Sequence, residues 1–255
     1  MSVCVVLMVK SKARMWWLLL FGAVGDDHPG CTVIGSNNTI GYHAVIGVKC
    51  QDMKYKPEDE CYLEVGHNND IREHSSIHRS SKSTDRTVIG NANFIMGSCH
   101  ITHDCKIGNN NILANNTLLA GHVEVEDYVH TAGVTVVHQF SHLGSFSFLG
   151  GGSVVSQDVP KYMMAAGERA ELRGLNLVGL TRCGFSVAEI RSMRAAYRKI
   201  FMCVDANAVS LEERLAEVHE ELVHVPAMRA MLQSIRNSFA ENRRGICKFR
   251  HWNAS

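Results

Sequence analysis

The sequence predicts an all-β plus α protein in which a parallel β-helix of six-residue repeats is followed by a small C-terminal helical domain. Two observations carry this prediction: aliphatic residues recur at every sixth position through the middle of the chain, and helix-capping sequences replace that pattern after Pro160. The composition agrees, because 21 glycines and only 7% aromatic residues suit repeated tight corners better than a conventional β-sandwich.

The first element is the repeat itself. Steps of six residues reach Ile, Leu or Val at all but one of the positions Ile89, Ile95, Ile101, Ile107, Leu113, Leu119, Val125, Thr131, Val137, Leu143, Leu149 and Val155. The same step recurs at Ile34, Ile40 and Ile46 and at Val65, Ile71 and Ile77. A period of six fits a short strand plus a corner, and three such units close a coil of eighteen residues. Stacked coils bury their aliphatic side chains against one another, while the spacing leaves the handedness open.

The chain divides where this repeat begins, is interrupted and ends. We assign residues 1–28 to an atypical N-terminal segment, 29–162 to the β-helix, and 163–255 to a connector and the helical domain. Loops are ejected from the β-helix near 48–62, where the register of the repeat breaks, and near 80–87, where it survives. Loops on a rigid scaffold are frequent sites of function.

The N-terminal segment is unlike the rest of the chain. Residues 1–25 contain no acidic residue and include the apolar run Met15-Trp-Trp-Leu-Leu-Leu-Phe21. We interpret them as an alternative or misassigned start that replaces the opening coils of a longer β-helix, with a targeting peptide as the alternative.

Three helices are predicted in the C-terminal part. Ser186-Val-Ala-Glu189 has the spacing of a capping box and opens a helix to about Phe201, and Ser210-Leu-Glu-Glu213 opens a second helix to about Val223. Pro226 suits the first position of a third helix, which Gly245 is expected to end.

Charge and cysteine content exclude several classes of function. The formal net charge is +1, so no strong field favours a nucleic-acid partner, and no apolar stretch is long enough for a membrane span. The nine cysteines are odd in number and no pair has the C-x-x-C spacing. We therefore predict free, mostly buried thiols in a reducing compartment, and neither a metal nor a cofactor.

Histidines gather in the repeat region at His100, His103, His122, His130, His138 and His142. The spacings between His103, His122 and His138 are close to one coil, so these three are expected on nearly the same face. Histidine can bind a metal or act as a base near neutral pH. Since no nucleophile elbow is present, the simpler scheme has His103 take the proton of a substrate hydroxyl. Asp104 could orient His103, although adjacent strand residues usually face opposite ways, and a backbone N–H of the Ala120-Gly121-His122 corner could bind the oxyanion.

Several segments together resemble the UDP-N-acetylglucosamine O-acyltransferases, the first enzymes of lipid A synthesis, and most closely their plant version. The resemblance covers about residues 26–250 and rests on Gln51-Asp-Met-Lys54, Ile77-His-Arg79, Cys99-His-Ile-Thr-His-Asp-Cys105, Asn115-Asn-Thr-Leu-Leu-Ala-Gly-His122, Val137-His-Gln-Phe140, Gln157-Asp-Val-Pro160 and Gly174-Leu-Asn-Leu177. It implies a homotrimer of left-handed β-helices with active sites between neighbouring subunits. It also implies transfer of an (R)-3-hydroxyacyl group from acyl carrier protein to the glucosamine 3-hydroxyl, in mitochondria if the source is a plant and in the cytoplasm otherwise.

Roles follow from the resemblance for individual residues of this chain. It makes His103 the general base and the Gly121 N–H the oxyanion donor. Substrate contacts are implied for Gln51, Asp52, Lys54, His100, His122, His138, Gln139, Asn176 and Arg182, the last two in the segment that holds the nucleotide. A basic tail of Arg243, Arg244, Lys248 and Arg250 could receive the acidic carrier protein, or could equally be a solvated helix end.

The sequence departs from the family at two polar positions and leaves alternatives open. Val178 stands where the family usually has an acid, Cys183 stands where it has a base, and fewer coils would leave less trimer contact. The alternatives are the related UDP-sugar N-acyltransferase, a zinc hydratase on the same fold, and a catalytically weakened or inactive β-helix that serves as a structural or binding module. The Gln51-Asp-Met-Lys54 loop and Gly174-Leu-Asn176 argue against the N-acyltransferase.

Overall fold

The computed structural model describes residues 16–17, 22–202 and 209–249. Its main body is the predicted left-handed parallel β-helix, built from three sheets of nine, seven and six strands that run along the three sides of a prism. Most of segment 1–28, together with Cys4, Cys203 and Arg250, lies outside the described residues.

The strands are short and follow one another around the three sheets. In chain order they are β1 Trp16–Trp17, β2 Ala23–Val24, β3 Gly30–Ile34, β4 Thr39–Ile40, β5 Val45–Val48, β6 Cys61–Val65, β7 Asp70–Ile71, β8 Ser76–His78, β9 Thr87–Ile89, β10 Phe94–Ile95, β11 His100–Ile101, β12 Lys106–Ile107, β13 Ile112–Leu113, β14 Leu118–Leu119, β15 Glu124–Val125, β16 His130–Thr131, β17 Val136–Val137, β18 His142–Leu143, β19 Phe148–Leu149, β20 Val154–Val155, β21 Met163–Ala166 and β22 Glu171–Leu175. All pairings are parallel except that of β21 with β22.

The six-residue aliphatic repeat forms the core, as predicted. Every position of the stripe from Ile89 to Val155 is at most 2% exposed. Each stacks on its counterpart in the next coil, as Ile95 does on Leu113. Thr131, the one polar member, is also fully buried, and its Oγ1 lies 2.7 Å from the Thr117 Oγ1. The hydroxyl is tolerated because it has this partner.

The corners between the sheets are made by residues in the left-handed backbone region. One such residue with φ near +60° ends most repeats, among them Asn110, Asn116, His122 and Asp104. A positive φ bends the chain sharply and reverses the direction in which the next side chain points. The coil can therefore turn within the four residues that separate consecutive strands of the regular repeat, such as β10 and β11.

Two loops leave the β-helix between consecutive coils. The first loop leaves the β-helix after β5, and the chain rejoins it at β6. Ile34 therefore pairs with Val65 and not with the residue eighteen positions onward that a regular coil would supply. The second lies between β8 and β9. Arg79, which begins the second loop, is 2% exposed; its Nη1 lies 3.2 Å from an Asp26 carboxylate oxygen, and its Nε donates to Thr32. This buried guanidinium fixes the base of the second loop against the start of the described β-helix.

Within residues 163–202 and 209–249, the C-terminal region contains four helices: α1 Leu177–Arg182, α2 Val187–Phe201, α3 Leu211–Leu222 and α4 Pro226–Asn237. The capping boxes predicted at Ser186 and Ser210 are both present, with Pro226 at the start of α4. The helix α1 was not predicted. The predicted end of the third helix at Gly245 is wrong, since α4 ends at Asn237.

The segment after α4 is extended instead of helical, and this explains the error. Gly245 does have a left-handed φ of 77°, but it lies in a strand-like return that pairs Ile246 with Asp158 and Phe249 with Leu172. This return covers the last coil, whose edge would otherwise be unpaired.

The described cysteines are mostly buried, as predicted, and the described residues contain no helix that could cross a membrane. Seven cysteines are described, none of them in a disulfide and five of them buried: Cys31, Cys50, Cys61, Cys99, Cys105, Cys183 and Cys247. No helix within 22–202 or 209–249 is both long and apolar enough for a membrane span.

A charged network on the six-stranded sheet joins three coils to the helical domain. The Glu126 carboxylate binds the His142 Nε2 at 2.7 Å and the Lys161 ammonium, while Glu124 lies 2.9 Å from the other nitrogen of His142. The Lys161 backbone N–H donates to Ser234 of α4. Burial alone would lower the pKa of His142, but the two carboxylates outweigh it and raise this pKa to about 9.

The raised pKa of His142 predicts a stability that falls in alkali. The charged imidazole stabilises the fold fully below the unfolded pKa of about 6.5, and the contribution is lost as pH rises through the folded value. We expect His142→Gln to lower the free energy of unfolding by about 2–3 kcal/mol near pH 7, and by almost nothing near pH 10. Urea unfolding of both proteins at fixed concentration across this range checks it, and an equal difference at both pH values would contradict it.

Candidate active site

The candidate site lies at one corner of the prism, where the chain passes from the seven-stranded to the six-stranded sheet. His103 and Asp104 occupy this corner between β11 and β12. Gly121 and His122 take the same two places one coil later, and the His122 N–H donates to the His103 carbonyl at 3.1 Å. The predicted alignment of His103 and His122 is therefore observed, with an offset of one residue.

Asp104 can orient His103 because of the corner geometry. Neighbouring side chains of a strand point to opposite faces, which argues against such a pair. Asp104, however, has a φ of 61°, and this left-handed turn brings its carboxylate back to the Nδ1 of His103 at 2.8 Å. The difficulty seen in the sequence disappears because the pair lies at a corner and not within a strand.

Asp104 is buried and strongly hydrogen-bonded. Its side chain accepts the Ser81 N–H at 3.0 Å and the Ser81 hydroxyl at 2.6 Å, in addition to the bond from His103. Burial raises the pKa of Asp104, but the hydrogen bonds from His103 and Ser81 exceed that effect and hold it below its usual value. Asp104 is therefore ionised at neutral pH. Ser81 belongs to the second ejected loop. In the sequence, the insertion of that loop one coil before Asp104 was the only indication that Ser81 could bind Asp104.

The ionised carboxylate fixes the tautomer of His103. An ionised carboxylate only accepts hydrogen bonds, so the Nδ1 of neutral His103 must carry the proton and the Nε2 must carry the free lone pair. The His103 side chain is 8% exposed, and its Nε2 lies 3.9 Å from the Asp52 Oδ2. The first ejected loop thus brings Asp52 to the basic nitrogen, where it faces any group that donates a proton there.

Gly121 packs directly against the His103 ring. A Cβ at this position would lie 2.4 Å from the Cε1 of His103, so no other residue fits without moving the imidazole. Among the hydrogen bonds of the described residues, none uses the Gly121 N–H. A free donor therefore lies next to the ring that would activate the substrate.

A second pair of histidines adjoins this group. The His100 Nδ1 lies 2.6 Å from the Ser76 hydroxyl, and the His78 ring meets the His100 ring edge-on at 4.9 Å. His78 is 3% exposed, and burial together with His100 and His103 lowers its pKa to about 4. Its buried Nδ1 has no hydrogen-bond partner within the part of the chain that the structure describes. His78 was not singled out from the sequence, although it lies in the quoted Ile77-His-Arg79 segment.

The other predicted substrate contacts lie around the corner and are more exposed. His122 stacks on Phe140 at 4.7 Å and lines a cavity of about 220 Å³ with Asp104. His138 and Gln139 are exposed one coil further on. Gln51 and Lys54 are exposed on the first loop, where the Lys54 N–H donates to Asp52.

Asn176 and Arg182 lie at a different corner of the same chain. Asn176 caps α1 through the Gly179 N–H at 3.0 Å, and its amide donates to the carbonyl of Phe146. Phe146 makes the corner between β18 and β19, whereas His103 lies between β11 and β12. Arg182 is exposed and close enough to His130 of the nine-stranded sheet to lower the pKa of that histidine further, beyond the effect of burial. Within one chain the structure does not bring these two residues next to His103.

The basic tail is not a helix end, and one of its members is already paired. The Arg243 guanidinium makes two hydrogen bonds to the buried Asp158 carboxylate at 2.7 and 2.9 Å. Arg244 donates to the carbonyl of Ser156, and Lys248 is exposed. Arg243 is therefore occupied in holding the C-terminal return to the last coil.

The only group of described residues that could supply three metal ligands is His103, Asp104 and His122. Their candidate ligand atoms all lie within 4.8 Å of one another. The Asp104 carboxylate, however, already accepts hydrogen bonds from His103 and Ser81. This satisfied network favours a proton-transfer site over a metal centre.

Chelation tests the zinc-hydratase alternative. We expect prolonged dialysis against a strong chelator to leave the rate of catalysis within about two-fold of its starting value, because a general base needs no metal. The measurement is turnover before and after dialysis, beside the zinc content of the protein. Loss of activity that zinc restores would favour the metal centre.

Comparison with known proteins identifies related sequences over most of the chain. The family described as Udp N-acetylglucosamine O-acyltransferase, Domain 2, matches residues 158–247, and the bacterial transferase hexapeptide family matches residues 86–121. The probable mitochondrial acyl-[acyl-carrier-protein]–UDP-N-acetylglucosamine O-acyltransferase of Arabidopsis thaliana is 69% identical over 238 residues, which cover 92% of this chain and 71% of that protein. The corresponding enzyme of Burkholderia orbicola is 43% identical over 73% of this chain and 70% of its own length.

Solved structures agree with these relatives. The Arabidopsis UDP-N-acetylglucosamine acyltransferase superposes with a TM-score of 0.87 at 70% identity, over 89% of this chain and 79% of that one. The Francisella novicida UDP-N-acetylglucosamine acyltransferase gives a TM-score of 0.80 at 30% identity, over 94% of this chain and 83% of that one.

Proposed function

Because the chain belongs to the UDP-N-acetylglucosamine O-acyltransferase family, we propose that it transfers an (R)-3-hydroxyacyl group from acyl carrier protein to the 3-hydroxyl of UDP-N-acetylglucosamine. The chain is thus an acyltransferase, and the substrates and the mechanism are what we propose. The observation that carries the mechanism is the Asp104–His103 pair, whose geometry leaves the His103 Nε2 unprotonated and turned toward the first loop.

The proposed reaction is direct attack without a covalent enzyme intermediate. The His103 Nε2 takes the proton of the sugar hydroxyl as its oxygen attacks the thioester carbonyl. The Gly121 N–H stabilises the negative charge that develops on the carbonyl oxygen. When the carbon–sulfur bond breaks, the imidazolium returns the proton to the thiolate. Asp104 remains ionised throughout and stabilises the imidazolium, as the Ser81 hydrogen bonds favour.

The placement of the nucleotide segment supports a site shared between subunits. Asn176 and Arg182 belong to one corner of the prism and His103 to another. Two different corners of one prism face different directions, which favours a second chain as the source of one of the two sets. We therefore propose a homotrimer, with His103 from one subunit and Asn176 and Arg182 from its neighbour.

The substrate contacts follow the arrangement around His103. We assign the sugar and acyl group to His100, His122, His138 and Gln139, and we assign Gln51, Asp52 and Lys54 to the side of the first loop. Gln51, Lys54, His138 and Gln139 are exposed, while Asp52, His100 and His122 are half-buried. Asp52, which is 3.9 Å from the His103 Nε2, is also placed to stabilise the protonated imidazole.

The test is an acyl-transfer assay on the purified full chain. UDP-N-acetylglucosamine is offered with (R)-3-hydroxyacyl carrier proteins of several chain lengths, and the esterified nucleotide sugar is identified by mass. A parallel reaction offers a UDP-sugar that carries an amine at the acceptor carbon. Ester formation supports the proposal, while amide formation alone would favour the N-acyltransferase.

A folded protein without turnover would favour a binding module instead. The exposed Val178 and Cys183 would then be the first residues to examine, since both replace polar residues of the family. Direct binding of UDP-N-acetylglucosamine, measured by calorimetry, separates weakened nucleotide binding from a lost chemical step.

We also propose a mitochondrial location, which the name of the Arabidopsis relative supports. The full chain with a fluorescent protein at its C-terminus, expressed in plant cells, should co-localise with a mitochondrial marker. A diffuse cytoplasmic signal would contradict this.

A further inference from the structure

One face of α2 is basic and lacks acidic partners. Arg191, Arg194 and Arg198 are all exposed and lie within about 60° of one another around the helix axis, at 100° per residue. The buried residues Met193, Ala196 and Ile200 occupy the opposite side. The three guanidinium groups therefore form a basic stripe about 10 Å long that faces away from the core.

No acidic side chain in the described part of the chain pairs with this stripe. Within the described residues, none of the three arginines makes an ion pair. Glu189, the nearest acid in the helix, is held in the capping box with Ser186. The neighbouring Lys199 does pair, with Glu217 and Glu221 of α3. Lys199, which lies outside the stripe, is therefore the only one of the four basic residues of α2 that pairs with an acid.

Apolar residues flank the same face. Val187 at the start of α2 is 67% exposed and Met202 just after its end is 40% exposed. By helical geometry both lie within about 40° of Arg191, on the side of the stripe. Exposed aliphatic residues beside unpaired arginines are typical of a protein interface, where Arg and Met are enriched. Val178, in the preceding helix α1, is also 61% exposed.

We infer that this face of α2, the basic stripe with Val187 and Met202, is the docking surface for the acidic acyl carrier protein. The inference rests on the proposed function and replaces the basic tail as the place of contact, because Arg243 is bound to Asp158. Helix α2 begins at Val187, five residues after Arg182, so the surface adjoins the proposed nucleotide segment. A carrier held there would present its thioester near that segment, while the complementary charges would mainly accelerate association.

The experiment compares two matched charge reversals in the full chain. Arg194→Glu with Arg198→Glu changes the stripe, and Arg229→Glu with Arg236→Glu makes the same change in net charge on exposed positions of α4. We expect the α2 pair to raise the KM for acyl carrier protein at least about ten-fold, with a smaller effect at high salt. The α4 pair should stay within about two-fold of the unaltered chain. The KM for UDP-N-acetylglucosamine should change in neither.

Two further measurements keep docking apart from chemistry and from folding. A small donor, the acyl group on free phosphopantetheine, should be used equally well by the α2 pair and the unaltered chain, which also shows that the variant is folded. Immobilised carrier protein should bind the unaltered chain more tightly than the α2 pair, whether or not any acyl group is transferred. If no donor is turned over but the unaltered chain still binds carrier protein more tightly than the α2 pair, the proposed function is wrong and the docking surface is retained.

Two outcomes would overturn the inference. Equal KM and equal binding for the α2 and α4 pairs would remove the stripe from the contact. A ten-fold loss with Arg244→Glu and Lys248→Glu, but not with the α2 pair, would return the carrier protein to the basic tail.

Discussion

His103→Ala is expected to lower kcat by about 10²–10⁴-fold, the range lost with a general base. The structure explains why no neighbour should replace it. With the His103 ring removed, the Asp104 carboxylate is still held by the two hydrogen bonds from Ser81, and the Nε2 of His122 lies 3.5 Å from that same carboxylate. Neither offers a free lone pair at the position of the His103 Nε2. The measurement is the steady-state rate of acyl transfer at saturating concentrations of both substrates.

The control for His103→Ala is a histidine at another corner of the β-helix. His74 is exposed and has a φ of 59°, which asparagine tolerates, so His74→Asn should keep full activity. The KM for UDP-N-acetylglucosamine should change little in His103→Ala, since the lost interaction belongs to the transition state. A rate within ten-fold of the unaltered chain, with the same pH dependence, would remove His103 from the role of base.

The β-helix was predictable because its aliphatic residues recur at a fixed spacing and each of them packs against residues of the neighbouring coils. Each aliphatic residue of the stripe needs only a six-residue register to find its partner, and the observed pairing of Ile95 with Leu113 follows directly. The two loops were visible as interruptions of that register. Handedness was not predictable from spacing, since either hand buries the same stripe.

The helical domain was predicted where its signals are local and missed where they are not. Ser186 and Ser210 announce their helices through bonds to residues three positions later, which the structure shows. Gly245 gave the same kind of signal for a helix end, yet its conformation serves a pairing with the distant Asp158. A left-handed glycine ends many kinds of segment, so its position alone could not identify this one.

The sequence indicated most residues of the candidate site but only some of the contacts between them. His103, Asp104 and Gly121 come together as expected, but Ser81 and His78 join them through contacts between coils that the sequence does not display. Asn176 and Arg182 show the opposite case, because the structure of one chain holds them away from His103. In the shared site that we propose, their proximity to His103 would come from the assembly of subunits and not from the fold of one chain.

Gly121→Ala is expected to lower kcat by about 10²-fold, the cost of a misplacement of about 1 Å in a reacting group. The new methyl group would lie 2.4 Å from the Cε1 of His103 and 2.8 Å from its Nε2. The imidazole must move away by about 1 Å to restore ordinary contact. That displacement would strain the hydrogen bond between His103 and Asp104. It would also move the His103 base away from the Gly121 N–H, the proposed oxyanion donor.

The matched control is Gly133→Ala, which adds the same methyl group at the equivalent place of another corner. There the nearest atom to the new Cβ is the carbonyl oxygen of Asn115 at 3.5 Å, an ordinary contact. We expect Gly133→Ala to keep its activity and both variants to unfold at similar urea concentrations. Since neither glycine has a positive φ, backbone strain should not differ between them. Equal losses in both variants would mean that any methyl group at a corner is harmful, and the contact of Gly121 with His103 would then carry no catalytic weight.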